Sequence, residues 1–239
     1  MSHAVVTGGS SGIGRAVVEL LVARGYQVTV FDLTEPADRV DTVGYIAVDV
    51  TDAELVEASI AAAVDARGPI DTAVTCHGIR GAFVPALDLT PDGVRRMFDV
   101  HVVGTLLVAT GLARRMIEAG TGGSIVTISS TTAYRGWHKQ SDYGVAKAAV
   151  RQLTENLAVE WAQHGIRVNS VAPGHTLTPM VVDLIDGGYD IAATEARIPL
   201  GRLATPEEMA LAIVNLAVDA TYTTGVCLPV DGGWTAVGK

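Results

Sequence analysis

Charge is scarce in this 239-residue chain, and basic charge is scarcest. Charged residues make up 18%, and 17 Lys and Arg stand against 26 Asp and Glu, for a formal net charge of −9. No basic block occurs, so the electrostatic footprint of a nucleic-acid partner is missing. The chain has two cysteines, Cys76 and Cys227. Far apart and without metal-ligand spacing, they read as reduced thiols of a cytoplasmic protein. The histidines (His3, His77, His101, His138, His164 and His175) do not cluster at ligand spacing either, so no metal is expected. No apolar stretch reads as long enough to cross a bilayer, and no membrane partner is expected. Met1-Ser2-His3 leads straight into an apolar strand, which leaves no room for a signal peptide. Repeats, low-complexity tracts and linkers are lacking too, so residues 1–239 are expected to form one domain around one large core.

Apolar residues, by contrast, make up 49% of the chain, and mean hydropathy is positive. Helices packed on both faces of a parallel sheet bury that much apolar surface, and an oligomer hides more. Strand and helix signals alternate along the chain. Strands are expected at 3–7, 27–32, 43–48, 70–75, 123–129, 166–171 and 225–230. Helices are expected at about 13–24, 52–66, 91–119, 141–164 and 206–218, with Thr51 or Asp52 capping the second. The link from Leu33 to Thr42 is short and polar, so the crossover helix there should be reduced. The fold class is therefore α/β: a single-domain, Rossmann-type, doubly wound parallel sheet of about seven strands with helices on both faces. The irregular stretch 175–204, with a possible short helix near 179–186, is placed where a mobile lid over a substrate would sit. Trp161 and Met209 read as core or subunit interface. Trp137, His138, Lys139 and Gln140 could line a substrate entrance or form a plain exposed loop.

Thr7-Gly8-Gly9-Ser10-Ser11-Gly12-Ile13-Gly14 separates the first strand from the first helix. Strand, glycine turn and helix together hold a dinucleotide pyrophosphate. The glycines let backbone approach the phosphates, and the helix N-terminus offers free N–H groups with partial positive charge. The second strand ends on Asp32, where a carboxylate can accept the adenosine ribose hydroxyls and repel a 2′-phosphate. That favours NAD over NADP.

Ser130 lies at the carboxyl end of an apolar strand, and Tyr143 and Lys147 are one helical turn apart, so their side chains face the same way. A phenol near pKa 10 is a poor proton carrier at neutral pH. A neighbouring ammonium, together with a positive nicotinamide, favours the phenolate and lowers that pKa, and a serine hydroxyl can hold a substrate oxygen as charge develops on it.

In order and spacing, the chain resembles the short-chain dehydrogenase/reductase family over essentially its full length. The matching segments are the glycine turn, Asp49-Val50, Ser130 thirteen residues before Tyr143, Tyr143-x-x-x-Lys147, Arg167-Val168-Asn169-x-Val171-x-Pro173-Gly174, Thr178 and Asp231-Gly232-Gly233. The resemblance implies an NAD(P)-dependent oxidoreductase, most simply one moving a hydride between NAD and a secondary alcohol or ketone. A dihydrodiol dehydrogenase and a 3-oxoacyl thioester reductase are the enzymatic alternatives. A dinucleotide-sensing binding protein that lost the reaction is the non-enzymatic one. It also implies a homotetramer, with Lys147 on the nicotinamide ribose and Pro173, Gly174, Thr176 and Thr178 around the nicotinamide. The cofactor contacts expected are then Gly8, Ser10, Ser11, Gly12, Ile13 and Gly14 in the turn, Asp32 and Leu33, Asp49 and Val50, Cys76, His77 and Gly78, Tyr143 and Lys147, and those last four residues.

Two places depart from the family pattern. Thr75-Cys76-His77-Gly78 replaces its Asn-Asn-Ala-Gly or Asn-Ala-Ala-Gly, and His101 stands where an asparagine completes its catalytic tetrad. His101 is accordingly expected beside the catalytic group, with a ring that could exchange protons near neutral pH, since an unperturbed imidazole titrates around 6.5.

Overall fold

The computed structural model describes residues 1–237; the last two residues of the expected 1–239 domain lie outside it. Seven strands form one sheet: β1 (His3–Thr7), β2 (Gln27–Asp32), β3 (Gly44–Ala47), β4 (Thr72–Thr75), β5 (Gly123–Ile128), β6 (Ile166–Pro173) and β7 (Cys227–Val230). All pairings are parallel, in the order β3-β2-β1-β4-β5-β6-β7. The eight α-helices among the described residues are α1 (Gly12–Ala23), α2 (Ala53–Arg67), α3 (Pro91–Phe98), α4 (Gly104–Ala119), α5 (Ser141–Trp161), α6 (Pro179–Asp186), α7 (Ile191–Glu195) and α8 (Pro206–Val214).

Strand alternation divides the core. Ala4 and Val6 of β1 pack on one side with Val17 and Leu21 of α1 and Met209 and Ile213 of α8. Val5 points to the other side, among Ile60 of α2, Leu112 and Met116 of α4 and Leu157 of α5. A period of two in the strands and 3.6 in the helices is enough to produce both layers. Asp52 caps α2, accepting from the N–H groups of Glu54 and Leu55 at 3.0 Å each. No helix replaces the Leu33–Thr42 link. The Arg-Val-Asn segment is a fastening for the far end of the sheet. Arg167 donates to the carbonyls of Leu216, Ala217 and Thr223 at 2.9, 2.8 and 3.1 Å, and Asn169 donates to Thr223 O at 2.8 Å.

Two expectations need correction. The helix expected over 91–119 is not uniform: α3 and α4 are joined by a π-helical turn, Asp99–Val103, with His101 at its centre. The run Pro91–Ala119 is also, by length and composition, apolar enough to cross a membrane, contrary to the sequence reading. Over half of its most apolar window is buried inside the protein, so packing accounts for that hydropathy. In the segment 175–204 the short helix expected near 179–186 is α6, and the segment also carries α7 and a bridge from Thr176 to Ala204.

Candidate active site

Strand order reverses direction at β1 and β4, and the crevice at their carboxyl ends is where an open α/β sheet binds ligands. A cleft of about 360 Å³ lies there. Its floor is the turn between β1 and α1. Gly8 has φ +65°, a conformation open to glycine, and a Cβ on it would fall 2.8 Å from the His77 backbone. A Cβ on Gly14 would fall 2.0 Å from the Gly8 carbonyl oxygen, so the turn closes on itself only because both positions lack side chains. Ser11, Gly12, Ile13 and Gly14 present the start of α1 to the cleft, with no side-chain cap on its first N–H groups. A cradle without Cβ atoms, ending on an uncapped helix N-terminus, fits a dinucleotide pyrophosphate.

The rest of the expected cofactor wall is assembled around this turn. Asp32 and Leu33 line one end, and Asp49, Val50, Cys76, His77 and Gly78 border it; Pro173, Gly174, Thr176 and Thr178 close the other end. Asp32 is already aimed: its carboxylate accepts from the N–H of Ser10 at 3.0 Å and of Leu33 at 2.8 Å. Asp49 accepts from Thr51 N and Thr51 Oγ1, which hold its carboxyl below the usual range. Ser10 is joined to Asp32. Its N–H holds the carboxylate, and its hydroxyl donates to Thr34 O at 2.8 Å. Burial pushes the Cys76 thiol up to about 12, so it carries no charge at neutral pH. Among the described residues, no group of three or more His, Cys, Asp or Glu is placed to hold a metal.

Ser130, Tyr143 and Lys147 meet at the inner end of the cleft. Ser130 follows β5, and its Oγ accepts from Thr132 N at 3.2 Å, which leaves its own proton free to donate. Lys147 is buried and donates to Ile128 O at 2.9 Å, leaving two of its three ammonium hydrogens for other partners. Its Nζ lies 5.6 Å from the centre of the Tyr143 ring. Ser129 Oγ donates to Lys147 O at 2.9 Å and ties β5 to α5 at this level.

Without the dinucleotide, burial sets the electrostatics of the site. Burial pushes the Tyr143 phenol up to about 12 against the lowering effect of the Ser130 hydroxyl, so within the protein alone Lys147 does not depress it. Burial brings Lys147 itself down to about 8. His101 is buried at 2% exposure, and its ring meets Tyr143 edge-on, 5.3 Å between centres. Burial, helped by the Lys147 charge, pushes that imidazole down to about 2. Burial thus disfavours the charged ring and works against the proton exchange expected near neutral pH.

A family model described as enoyl-(acyl carrier protein) reductase matches residues 8–235. The cis-4-hydroxycyclohexanecarboxylate dehydrogenase of Sinomonas cyclohexanicum is 41% identical over 244 residues, covering 98% of this chain and 96% of that one. The 2,5-dichloro-2,5-cyclohexadiene-1,4-diol dehydrogenase of Sphingobium indicum is 38% identical over 241 residues, with the same coverage. The crystal structure of levodione reductase superposes with a TM-score of 0.91 at 31% identity, covering 99% of this chain and 98% of that one. This chain belongs to the short-chain dehydrogenase/reductase family. As a member it is an oxidoreductase that takes a nicotinamide dinucleotide.

Next to the catalytic trio of this short-chain dehydrogenase/reductase, Asp142 escaped the sequence reading. Asp142 is buried and accepts from Ala82 N and Tyr143 N at 2.8 Å each, pinning the loop after β4 to the start of α5. An acid in the first turn of a helix, next to the tyrosine, was the available signal. Trp137, one of the residues that could line a substrate entrance, stacks on His175 at 4.7 Å between ring centres and meets Trp234 at a tilt of 42° and 4.6 Å, while Phe83 meets Tyr189 edge-on. No local pattern announces contacts between residues so far apart in the chain.

Proposed function

We propose that this enzyme interconverts a cyclic secondary alcohol and its ketone, with NAD as the preferred dinucleotide and Tyr143 as the acid/base. The observation that carries this reading is the convergence of Ser130, Tyr143 and Lys147 on one cleft beside an empty-walled glycine turn and an aimed Asp32. Cyclic substrates are favoured because the two relatives named above act on a hydroxycyclohexane acid and a cyclohexadiene diol. The second of these also keeps a dihydrodiol substrate within the reading.

When bound, the dinucleotide supplies the nicotinamide carbon that takes or gives hydride and, in its oxidised form, a positive charge. The chain's own residues manage the oxygen and its proton. Ser130, with its lone pair engaged by Thr132 N–H, donates to the substrate oxygen and fixes its distance from Tyr143. In the reducing direction Tyr143, protonated up to about 12, gives its proton to that oxygen. In the oxidising direction the phenol must first lose its proton, so the oxidation rate should climb with alkaline pH. The Lys147 ammonium favours the phenolate once formed, and its two free hydrogens suit the ribose hydroxyls. Asp32 supports NAD because its carboxylate, already fixed by Ser10 and Leu33, accepts hydroxyl protons and repels a 2′-phosphate.

A homotetramer is proposed on apolar side chains left outside the core: Val159 is 82% exposed and Val145 55% on α5, with Leu228 on the edge strand β7. Two free thiols support a cytoplasmic setting. The test of the chemistry is Tyr143→Phe, assayed with cyclohexanols and NAD at the reduced-cofactor absorbance band. Turnover should fall by about two orders of magnitude or more, the scale of lost acid/base catalysis, while NAD binding persists. Near wild-type turnover, with chemistry limiting, would refute the role.

A further inference from the structure

His77 and His101 mark the two departures from the family pattern, and the fold brings them into one cluster. His77 follows β4. Its Nδ1 lies 2.5 Å from Thr7 Oγ1 at the end of β1, and its Nε2 lies 3.2 Å from Val100 O. A carbonyl only accepts, so Nε2 carries the proton and Nδ1 accepts from the threonine hydroxyl. The ring thus bolts the ends of β1 and β4 to the π turn that joins α3 and α4.

His101 is the next residue along that turn. Its Nε2 lies 3.0 Å from Ile79 O and 3.4 Å from Ile79 N; the shorter contact is to an oxygen that can only accept, and it assigns the proton to this nitrogen too. The bare Nδ1 is buried with no hydrogen-bond partner. The ring stands perpendicular to Tyr143, at 89°. Both rings occupy room that only glycine leaves. A Cβ at Gly78 would fall 2.6 Å from His101 Cε1, and one at Gly104 would fall 3.2 Å from His77 Nε2 and 2.8 Å from Val50 Cγ2. A π turn is a costly insertion that tends to persist at functional sites, and a buried acceptor left bare is costly as well. Two such costs side by side, against the reacting tyrosine, call for a common use.

We propose that His77 and His101 form one positioning device: His77 holds the π turn at Val100, and the turn sets the His101 ring against the edge of Tyr143, keeping the phenol hydroxyl toward Ser130. The idea rests on the reading of Tyr143 as acid/base. Tyr143 and Lys147 face His101 from α5, and His77 faces it from the loop after β4. Burial and the Lys147 charge keep both imidazoles neutral, His77 near 4 and His101 near 2, so the pair acts by contact and not by titration.

Imidazole 15N NMR, with His101 assigned by subtraction of the His101→Asn spectrum, tests the device without any activity. In the wild type His101 should show one Nε2–H tautomer and no titration between about pH 5 and 9. His77→Ala should abolish the single tautomer or bring His101 into titration. His77→Leu, which keeps bulk but cannot donate to Val100 O, should do the same where His77→Ala fails to fold. His77→Gln, with an amide that can reach that carbonyl, should restore the wild-type signals. Unchanged His101 signals in His77→Ala or His77→Leu would overturn the proposal.

The kinetic arm is a double-mutant cycle. His77→Ala should lower kcat about tenfold, with the KM for alcohol within about twofold, yet change kcat less than about twofold in the His101→Asn background. Equal losses in both backgrounds would overturn it. If Tyr143→Phe proves fully active, the functional reading fails, and the NMR arm still decides the pairing.

Discussion

Acid should unfold this protein early, and histidines should be the cause. His3, His77, His101 and His175 are all pushed below the ordinary imidazole value, mainly by burial: His77 and His175 to about 4, His101 to about 2, and His3 downward. Above pH 6.5 these rings are neutral in both the folded and unfolded chain. Below it the unfolded chain binds protons that the folded chain refuses, so the unfolded state holds more protons and stability falls as pH falls. The loss continues down to the folded values. Each ring costs about 1.4 kcal/mol per pH unit once its unfolded form is protonated, or about 2 kcal/mol between pH 7 and 5. Three such rings, discounted because His77 and His175 are partly open to solvent, amount to about 3–5 kcal/mol. For a chain of this size, with a Tm shift of about 2–4 °C per kcal/mol, Tm should drop by about 10 °C between pH 7 and 5. The depressed carboxyl of Asp49 cannot contribute in this window, because an ordinary carboxyl is still ionised there. Calorimetry or circular dichroism across that range measures the slope, and His101→Asn should reduce it. A Tm that moves by less than about 3 °C would refute the reasoning.

Asp32→Ala should narrow the preference for NAD over NADP, read as the ratio of the two kcat/KM values; a wild type that uses NADP equally well would refute the assignment. Gly14→Ala places a Cβ 2.0 Å from Gly8 O, so dinucleotide affinity measured by calorimetry should collapse, and retention within about twofold would mean the turn is not the phosphate cradle. The oxidation rate should rise and the reduction rate fall as the Tyr143 phenol gives up its proton at alkaline pH, and parallel pH profiles in both directions would contradict its role. Light scattering at micromolar concentration should return four times the 24.8 kDa chain mass, and a stable monomer would remove the tetramer.

Local pattern carried most of the architecture. The alternating apolar strands and amphipathic helices, the glycine turn and the Tyr143–Lys147 spacing are short-range features, and each can be read within one or two turns of chain. The β-strand positions and the capping Asp52 follow from the same reach. The placement of Ser130 near Tyr143 needed only the rule that ligands meet strand ends. Where the sequence reading missed, the deciding contact ran between distant elements. Asp142, whose carboxylate ties Ala82 N, 60 positions away, to the start of α5, went unread for that reason.

The amino-acid sequence by itself determined the α/β class, the strand count, the dinucleotide turn and the chemistry-bearing trio, because periodicity and spacing are local. Tertiary structure alone decided how charged those groups are and what surrounds them. Desolvation depends on every element packed around a side chain, which is why, in the protein alone, burial raises the Tyr143 phenol and holds the His101 ring neutral where its type suggested titration. It also decided that the helix through 91–119 opens into a π turn, where the rings of His77 and His101, supplied by separate elements, demand room that Gly78 and Gly104 leave for them.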